Sequence, residues 1–326
     1  MSAPRRYAII GTGAIGGYYG ARLQQSGCEV HYLLRSDYDP VRQQGLRVDS
    51  TAGDFMLPRV NAYSNPADIP PVDVVIIALK TTQNDRLTEL LPPLQPETIV
   101  LTLQNGLGIE SDIARQLPGR TILGGLCFIC SNKIGPGHIR HLDYGQVLLG
   151  AYDASGQPVG ITEIMSAIAQ DFSQAQIPID LTADLFMARW RKLVWNVPYN
   201  GLSVVLDATT DELMADSGTR ALVETLMAEV VAAANAWGEQ RSPGQNRTLP
   251  PSLIAEMLTT TDQMQPYRTS MKLDYDEGRP LEVEVILGNP VSAALQMGVA
   301  VPQMQMLYQQ VRFLDSLTHG RGSIAP

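Results

Sequence analysis

Cysteine and histidine are scarce: three and four in 326 residues. An odd number of cysteines makes no disulfide framework, and a reducing cytoplasm is the natural setting for Cys28, Cys127 and Cys130. Basic charge is short as well. Twenty-four Lys and Arg face 33 Asp and Glu, a net charge of −9, and no arginine-rich run appears, which argues against nucleic acid as a main partner. A locally positive pocket for a small anion is still compatible with that balance. No apolar run approaches the roughly 18 residues of a membrane span. No solenoid repeat or low-complexity tract is present. A hydrophobic content of 44% with 17% charged residues then describes a globular chain of two-domain length.

What is present begins at once. Met1–Arg6 followed by Tyr7-Ala8-Ile9-Ile10 imitates a signal peptide, but the apolar segment is short and runs into glycines, Tyr18, Tyr19 and Arg22. It reads as a first strand. Gly11-Thr12-Gly13-Ala14-Ile15-Gly16 follows, opening a helical pattern. This is G-x-G-x-x-G in its working context. The first glycine allows the tight turn, the second lets backbone approach a pyrophosphate, and the third lets helix pack on strand. A second strand at Glu29–Leu34 ends in Arg35-Ser36 rather than in an acidic residue. A guanidinium there suits a ribose 2′-phosphate, so NADP(H) is expected over NAD(H). A solvated strand-end arginine is the plain alternative.

Val72–Leu79 and Ile99–Leu103 are β-branched runs that read as central parallel strands. They end in Lys80 and in Gln104-Asn105-Gly106. Ligands of open parallel sheets bind beyond the carboxyl ends of strands, which places Lys80 and Asn105 beside the expected cofactor. Cys127-x-x-Cys130 with His138 and His141 invites a zinc reading. Residues three apart in a strand point to opposite faces, and Phe128-Ile129 is no turn, so no metal is expected.

The segment Arg189–Asn200 organises the rest. On a helix, Lys192, Asn196 and Asn200 fall within about 80° of one another. An ammonium and two carboxamides on one face suit a small, oxygen-rich anion. A solvated stripe is the common fate of such a face. Here Trp190, Leu193, Val194 and Trp195 set it in apolar surroundings, and a buried polar face needs partners. Pro198 predicts a kink or loosened turn, and Thr182 is a candidate cap for this helix. Further helices are expected over 216–237, closed by Gly238, over 252–264, through Asn289 and Leu295, and from Pro302 through Leu314. The expected architecture is α/β: a Rossmann-type dinucleotide-binding domain over 1–180 and an all-helical substrate domain over 181–326.

Together these motifs resemble the ketopantoate reductases (2-dehydropantoate 2-reductases) from about residue 7 to residue 315. The matching pieces are the glycine motif with Tyr19-Gly20, Lys80 with Gln83, Asn105-Gly106, Lys192 with Asn196 and Asn200, and Ser270-Met271 with Asp274, Gly278, Glu282 and Gly288. The resemblance implies NADPH-dependent reduction of a 2-oxo acid in pantothenate and coenzyme A synthesis. It implies Lys192 as general acid and Glu282 as the carboxylate that fixes Lys192 or substrate. Lys80 and Asn105 would lie at nicotinamide and substrate, Asn196, Asn200 and Ser270 would hold the substrate, and Arg35 would take the 2′-phosphate. Gln104, Thr269, Trp195 and Tyr199 are neighbours that depart from the pattern, and the aromatic pair leaves the substrate open. Reduction of another 2-oxo acid, as in D-2-hydroxyacid dehydrogenases of this scaffold, and a non-catalytic NADPH-binding sensor are the alternatives. The helical domain offers either a homodimer surface or a core; the sequence does not choose.

Overall fold

A computed structural model describes residues 4–319. Residues 1–3 and 320–326, and with them the outer ends of both expected domains, lie outside the described residues. The chain divides into two compact units, Met1–Asn105 with Ile109–Leu185, and Gly106–Gly108 with Phe186–Pro326. No helix among the described residues is long and apolar enough to cross a membrane.

The first unit is α/β. Its elements are β1 (Arg6–Ile10), α1 (Ala14–Gln25), β2 (Glu29–Leu33), α2 (Tyr38–Gln44), β3 (Leu46–Ser50), β4 (Phe55–Leu57), β5 (Asn61–Tyr63), β6 (Val74–Ile77), α3 (Leu87–Leu90), β7 (Ile99–Thr102), α4 (Ile109–Gln116), β8 (Ile122–Gly135), β9 (His138–Ala151), α5 (Glu163–Gln174) and β10 (Ile179–Thr182). The strands form one sheet in the order β4-β3-β9-β8-β7-β6-β1-β2-β5, with β10 on β9. Strands β5 to β8 run parallel, and β8 and β9 pair antiparallel as a long hairpin. Apolar runs without alternation form β1 and β6 because both faces are covered: Ile9, Ile10 and Val74–Ile77 are fully buried. From β1 the chain winds outward to β2 and then crosses back to β6. That reversal is the switch point at which open sheets bind ligands.

The second unit is helical: α6 (Leu185–Val205), α7 (Thr210–Ala215), α8 (Ser217–Arg241), α9 (Leu253–Asp262), α10 (Ser270–Asp276), α11 (Asn289–Gln296) and α12 (Pro302–His319). A π-helical turn, Glu284–Gly288, leads into α11. Two local expectations are corrected. Thr182 does not cap α6; it ends β10, and its hydroxyl accepts the Asp184 N–H at 3.2 Å, so the helix starts later. The helix α6 carries Pro198 inside it. Gly238 does not stop α8; the helix runs on to Arg241. A Cβ at Gly238 would lie 1.9 Å from the Arg247 carbonyl oxygen, so this glycine serves close backbone packing.

Candidate active site

The glycine loop after β1 has the conformation its sequence predicts. Gly11 has φ +100°, and a Cβ there would lie 2.6 Å from the Leu79 nitrogen. A Cβ on Gly16 would lie 2.2 Å from the Gly11 oxygen, so α1 packs on β1 only with glycine at this position. Gly13, at the N-cap of α1, differs: a Cβ there would meet nothing within 4 Å. The open face in front of Gly13 and the first N–H groups of α1 fit a pyrophosphate. Thr12 Oγ1 donates to the Leu33 oxygen at 3.1 Å and ties this loop to the end of β2. Gly11 through Ile15 are half-buried, and from Gly16 onward α1 turns into the core. Tyr19 is fully buried, with its hydroxyl on the Gly145 carbonyl at 3.3 Å.

Arg35 is exposed just beyond β2, and its guanidinium makes no ion pair among the described residues. Two residues on, Asp37 is buried and engaged. Its Oδ2 lies 2.7 Å from Lys133 Nζ and accepts the Gly137 N–H at 3.0 Å. Burial alone would raise the Asp37 pKa; the Lys133 ammonium and the Gly137 N–H outweigh it and hold it below the ordinary value.

Lys80 and Asn105 follow the carboxyl ends of β6 and β7. Lys80 is exposed and opens a 3₁₀ turn over Thr81–Arg86, and Asn105 is half-buried. Between these strand ends lies a polar group that sequence reasoning missed. Asn84 and Gln104 exchange carboxamide hydrogen bonds at 2.7 and 3.4 Å, and Gln104 Nε2 also donates to the Leu79 oxygen at 2.9 Å. Gln104 therefore ties the segment leading to Lys80 to the segment leading to Asn105. Its position before Asn105 was the available signal.

In the second unit, Lys192, Asn196 and Asn200 form one buried polar stripe on α6, 9%, 7% and 3% exposed. The Asn196 carboxamide makes no hydrogen bond among the described residues. Asn200 is committed: its Nδ2 donates to the Asn196 carbonyl at 3.1 Å and its Oδ1 accepts the Met271 N–H at 3.3 Å. That bond brings the start of α10 to α6. Thr269, not Ser270, caps α10 through the Lys272 N–H at 3.2 Å, and its hydroxyl meets Ser203 on α6 at 2.8 Å. Ser270 is left half-buried at the first position of α10, and its hydroxyl makes no hydrogen bond among the described residues. Below it Lys272 is buried between Asp207 and Asp276. Burial would lower its pKa, but the two carboxylates prevail and raise it.

Glu282 is buried immediately before the π-helical stretch. The Leu281 N–H donates to Asp315 on α12 at 3.0 Å, and the Ile286 N–H to the Glu282 carbonyl at 3.2 Å, which fixes the backbone on either side of its carboxylate. Single π turns recur at functional sites. In the same unit the Leu107 N–H donates to the Val285 oxygen, and Asn289 donates to the Leu107 oxygen. Gly106 has φ +111°, and a Cβ there would lie 2.6 Å from Val285 atoms, so Asn105 must be followed by glycine. Tyr199 is fully buried, its ring stacked on Trp195 and its hydroxyl 3.0 Å from the Met214 sulfur. Trp195 Nε1 donates to Thr261 on α9 at 3.1 Å. These aromatics hold α6 against α7 and α9. Cys127 and Cys130 are buried on β8, while His138 and His141 face Asp49 and Ser50 of β3.

Comparison with known proteins matches residues 7–154 to the family described as Ketopantoate reductase PanE/ApbA, and residues 184–315 to its C-terminal counterpart. A 2-dehydropantoate 2-reductase of Nostoc sp. is 58% identical over 312 residues, covering 95% of each chain. The crystal structure of 2-dehydropantoate 2-reductase from Geobacter metallireducens superposes with a TM-score of 0.88 at 40% identity, covering 94% of this chain and 99% of that one. A ternary structure of D-mandelate dehydrogenase with NADH and anilino(oxo)acetate shares the fold, with a TM-score of 0.82 at 23% identity over 96% of this chain and 99% of that one.

Proposed function

Because the chain belongs to the ketopantoate reductase family, an oxidoreductase family acting on a CH–OH group, we propose that it reduces 2-dehydropantoate to (R)-pantoate with NADPH. The observation that carries this reading is the buried Lys192-Asn196-Asn200 stripe with an uncommitted carboxamide at Asn196. A carboxamide in apolar surroundings is costly unless something binds it. The first unit holds the nicotinamide cofactor through Gly11, Thr12, Gly13, Ala14, Ile15 and Gly16, with Arg35 on the 2′-phosphate and Lys80 and Asn105 toward the nicotinamide. The second unit holds the keto acid and the proton donor.

When bound, the cofactor supplies the hydride that reaches the ketone carbon. The work of the protein is to orient the ketone and stabilise charge developing on its oxygen. Lys192 serves as the proton donor in its ammonium form. Its Nζ donates a hydrogen bond to the ketone oxygen and transfers the proton as the alkoxide forms; solvent then reprotonates the amine. Glu282 holds the ammonium in place, and Asn196, Asn200 and Ser270 orient the hydroxyl and carboxylate of the substrate.

A second reading, reduction of another 2-oxo acid with NADH, draws on the D-mandelate dehydrogenase of like fold. Oxidation of NADPH and of NADH, each with 2-dehydropantoate, pyruvate, 2-oxoisovalerate and phenylglyoxylate, separates the two. Turnover is expected with 2-dehydropantoate and NADPH. Preference for phenylglyoxylate with NADH moves the protein to the second reading. Silence with every acid despite tight NADPH binding favours a cofactor-binding sensor.

A further inference from the structure

An acidic residue near the end of β2 ordinarily selects NAD(H) by binding the ribose 2′-hydroxyl. This chain has one, Asp37, four residues past Leu33 and two past Arg35. It is not available to a ribose. Only 5% of the residue is exposed, Oδ2 is shared between Lys133 and the Gly137 N–H, and Oδ1 accepts from Ser36 at 3.2 Å. The partners come from the β8–β9 hairpin, almost 100 residues along the chain. No register shift falls between Ser131 and Lys133, so the two share one face of β8. Ser131 Oγ donates to the Ala14 oxygen of the glycine motif at 3.3 Å, and Lys133 reaches Asp37. Ile139 packs on Gly17 of α1, and Gly137 lies against Val41 of α2. One hairpin thus braces both edges of the proposed cofactor site.

We infer that Lys133 is a specificity-determining residue: it neutralises Asp37 and so leaves Arg35 with an uncancelled charge for a ribose 2′-phosphate. The inference rests on the NADPH reading above. With Lys133 the loop carries two positive groups, Arg35 and Lys133, and one negative, Asp37, a net charge of +1. Without Lys133 the sum is zero, and the Asp37 carboxylate, still held by the Gly137 N–H and Ser36, keeps an unbalanced charge that opposes an incoming phosphate bearing nearly two negative charges. NADH lacks that phosphate and is indifferent to the change. Lys133 touches no reacting atom, so its effect appears in cofactor choice and not in the chemical step.

The test is steady-state kinetics with NADPH and NADH on the full-length wild type, Arg35→Ala, Lys133→Met, Lys133→Arg, Asp37→Asn and Asp37→Asn/Lys133→Met. Lys133→Met is expected to raise the KM for NADPH by about five- to ten-fold, with the NADH KM and both kcat values unchanged. Lys133→Arg retains the wild-type preference. The double variant recovers it, because removing both charges restores the net +1 of the loop. Equal changes for both cofactors, no change for either, or no recovery in the double variant would overturn the proposal. If Lys133→Met does not fold, Asp37→Asn against the double variant reads the same single charge: the NADPH KM must be higher in the double. A wild type without NADPH preference sinks the NADPH reading and this inference together. A preference that Arg35→Ala abolishes and Lys133→Met leaves intact sinks the inference alone.

Discussion

Replacing Asn200 with alanine tests how the second unit assembles its polar face. The carboxamide is buried, and so is the Met271 N–H it receives at 3.3 Å. Alanine leaves that N–H without its partner at the first turn of α10. An unsatisfied buried donor costs about 1–3 kcal/mol, and the bond to the Asn196 carbonyl is lost as well. The assay is unusually selective, because all three tryptophans, Trp190, Trp195 and Trp237, belong to the second unit. Urea unfolding followed by tryptophan fluorescence therefore reports this unit. With a slope of about 2 kcal/mol per molar, a loss of about 2 kcal/mol lowers the midpoint by about 1 M. Arg220→Ala is the control in the same unit. It breaks an exposed pair with Asp262 at 2.7 Å and should cost under about 1 kcal/mol. If Asn200→Ala shifts the midpoint no more than Arg220→Ala, the carboxamide is not what joins α6 to α10.

Two glycines separate folding from binding. Gly13→Ala should melt like wild type and weaken NADPH binding by at least about ten-fold, since its methyl meets no protein atom and enters the space that fits the pyrophosphate. Gly16→Ala should lower the melting temperature and the affinity together, because its methyl meets the Gly11 carbonyl; fluorescence titration beside thermal melts checks both. His141 should titrate below an ordinary histidine. Burial lowers its pKa against hydrogen bonds to the Asp143 and Tyr144 carbonyls, with Arg22 lowering it further and Ser50 Oγ on its other nitrogen. Its folded pKa lies below the unfolded value of about 6.5. Stability is therefore complete above that value and declines as pH falls through it, while the unfolded chain takes up a proton that the folded one resists. A His141 Cε1–H resonance titrating at or above pH 6.5 would contradict this.

The parts legible in the sequence were those whose cause is local. Gly11, Gly13 and Gly16 act within one turn, and β1 and β6 declare themselves as apolar runs covered on both faces. The α6 stripe follows from helical spacing and its apolar flanks. What escaped was set by distant chain. Gly238 has the look of a helix stop until the Arg247 carbonyl is seen against it. Thr182 is a fair cap residue, but it is consumed in ending β10. Asp37 and Lys133 are ordinary surface charges in sequence; only the fold over of the β8–β9 hairpin pairs a buried Asp37 with an exposed Lys133. Thr269 has the look of a departure beside Ser270, yet it carries the cap and leaves the serine hydroxyl uncommitted.

Single-turnover reduction of 2-dehydropantoate by the NADPH-loaded enzyme, wild type beside Lys192→Ala, bears most directly on the proposed chemistry. Loss of the proton donor should slow the step by at least about 100-fold, with NADPH affinity and the urea midpoint unchanged. An undiminished rate in Lys192→Ala would remove this lysine from the mechanism and, with it, the account of why α6 buries a polar face.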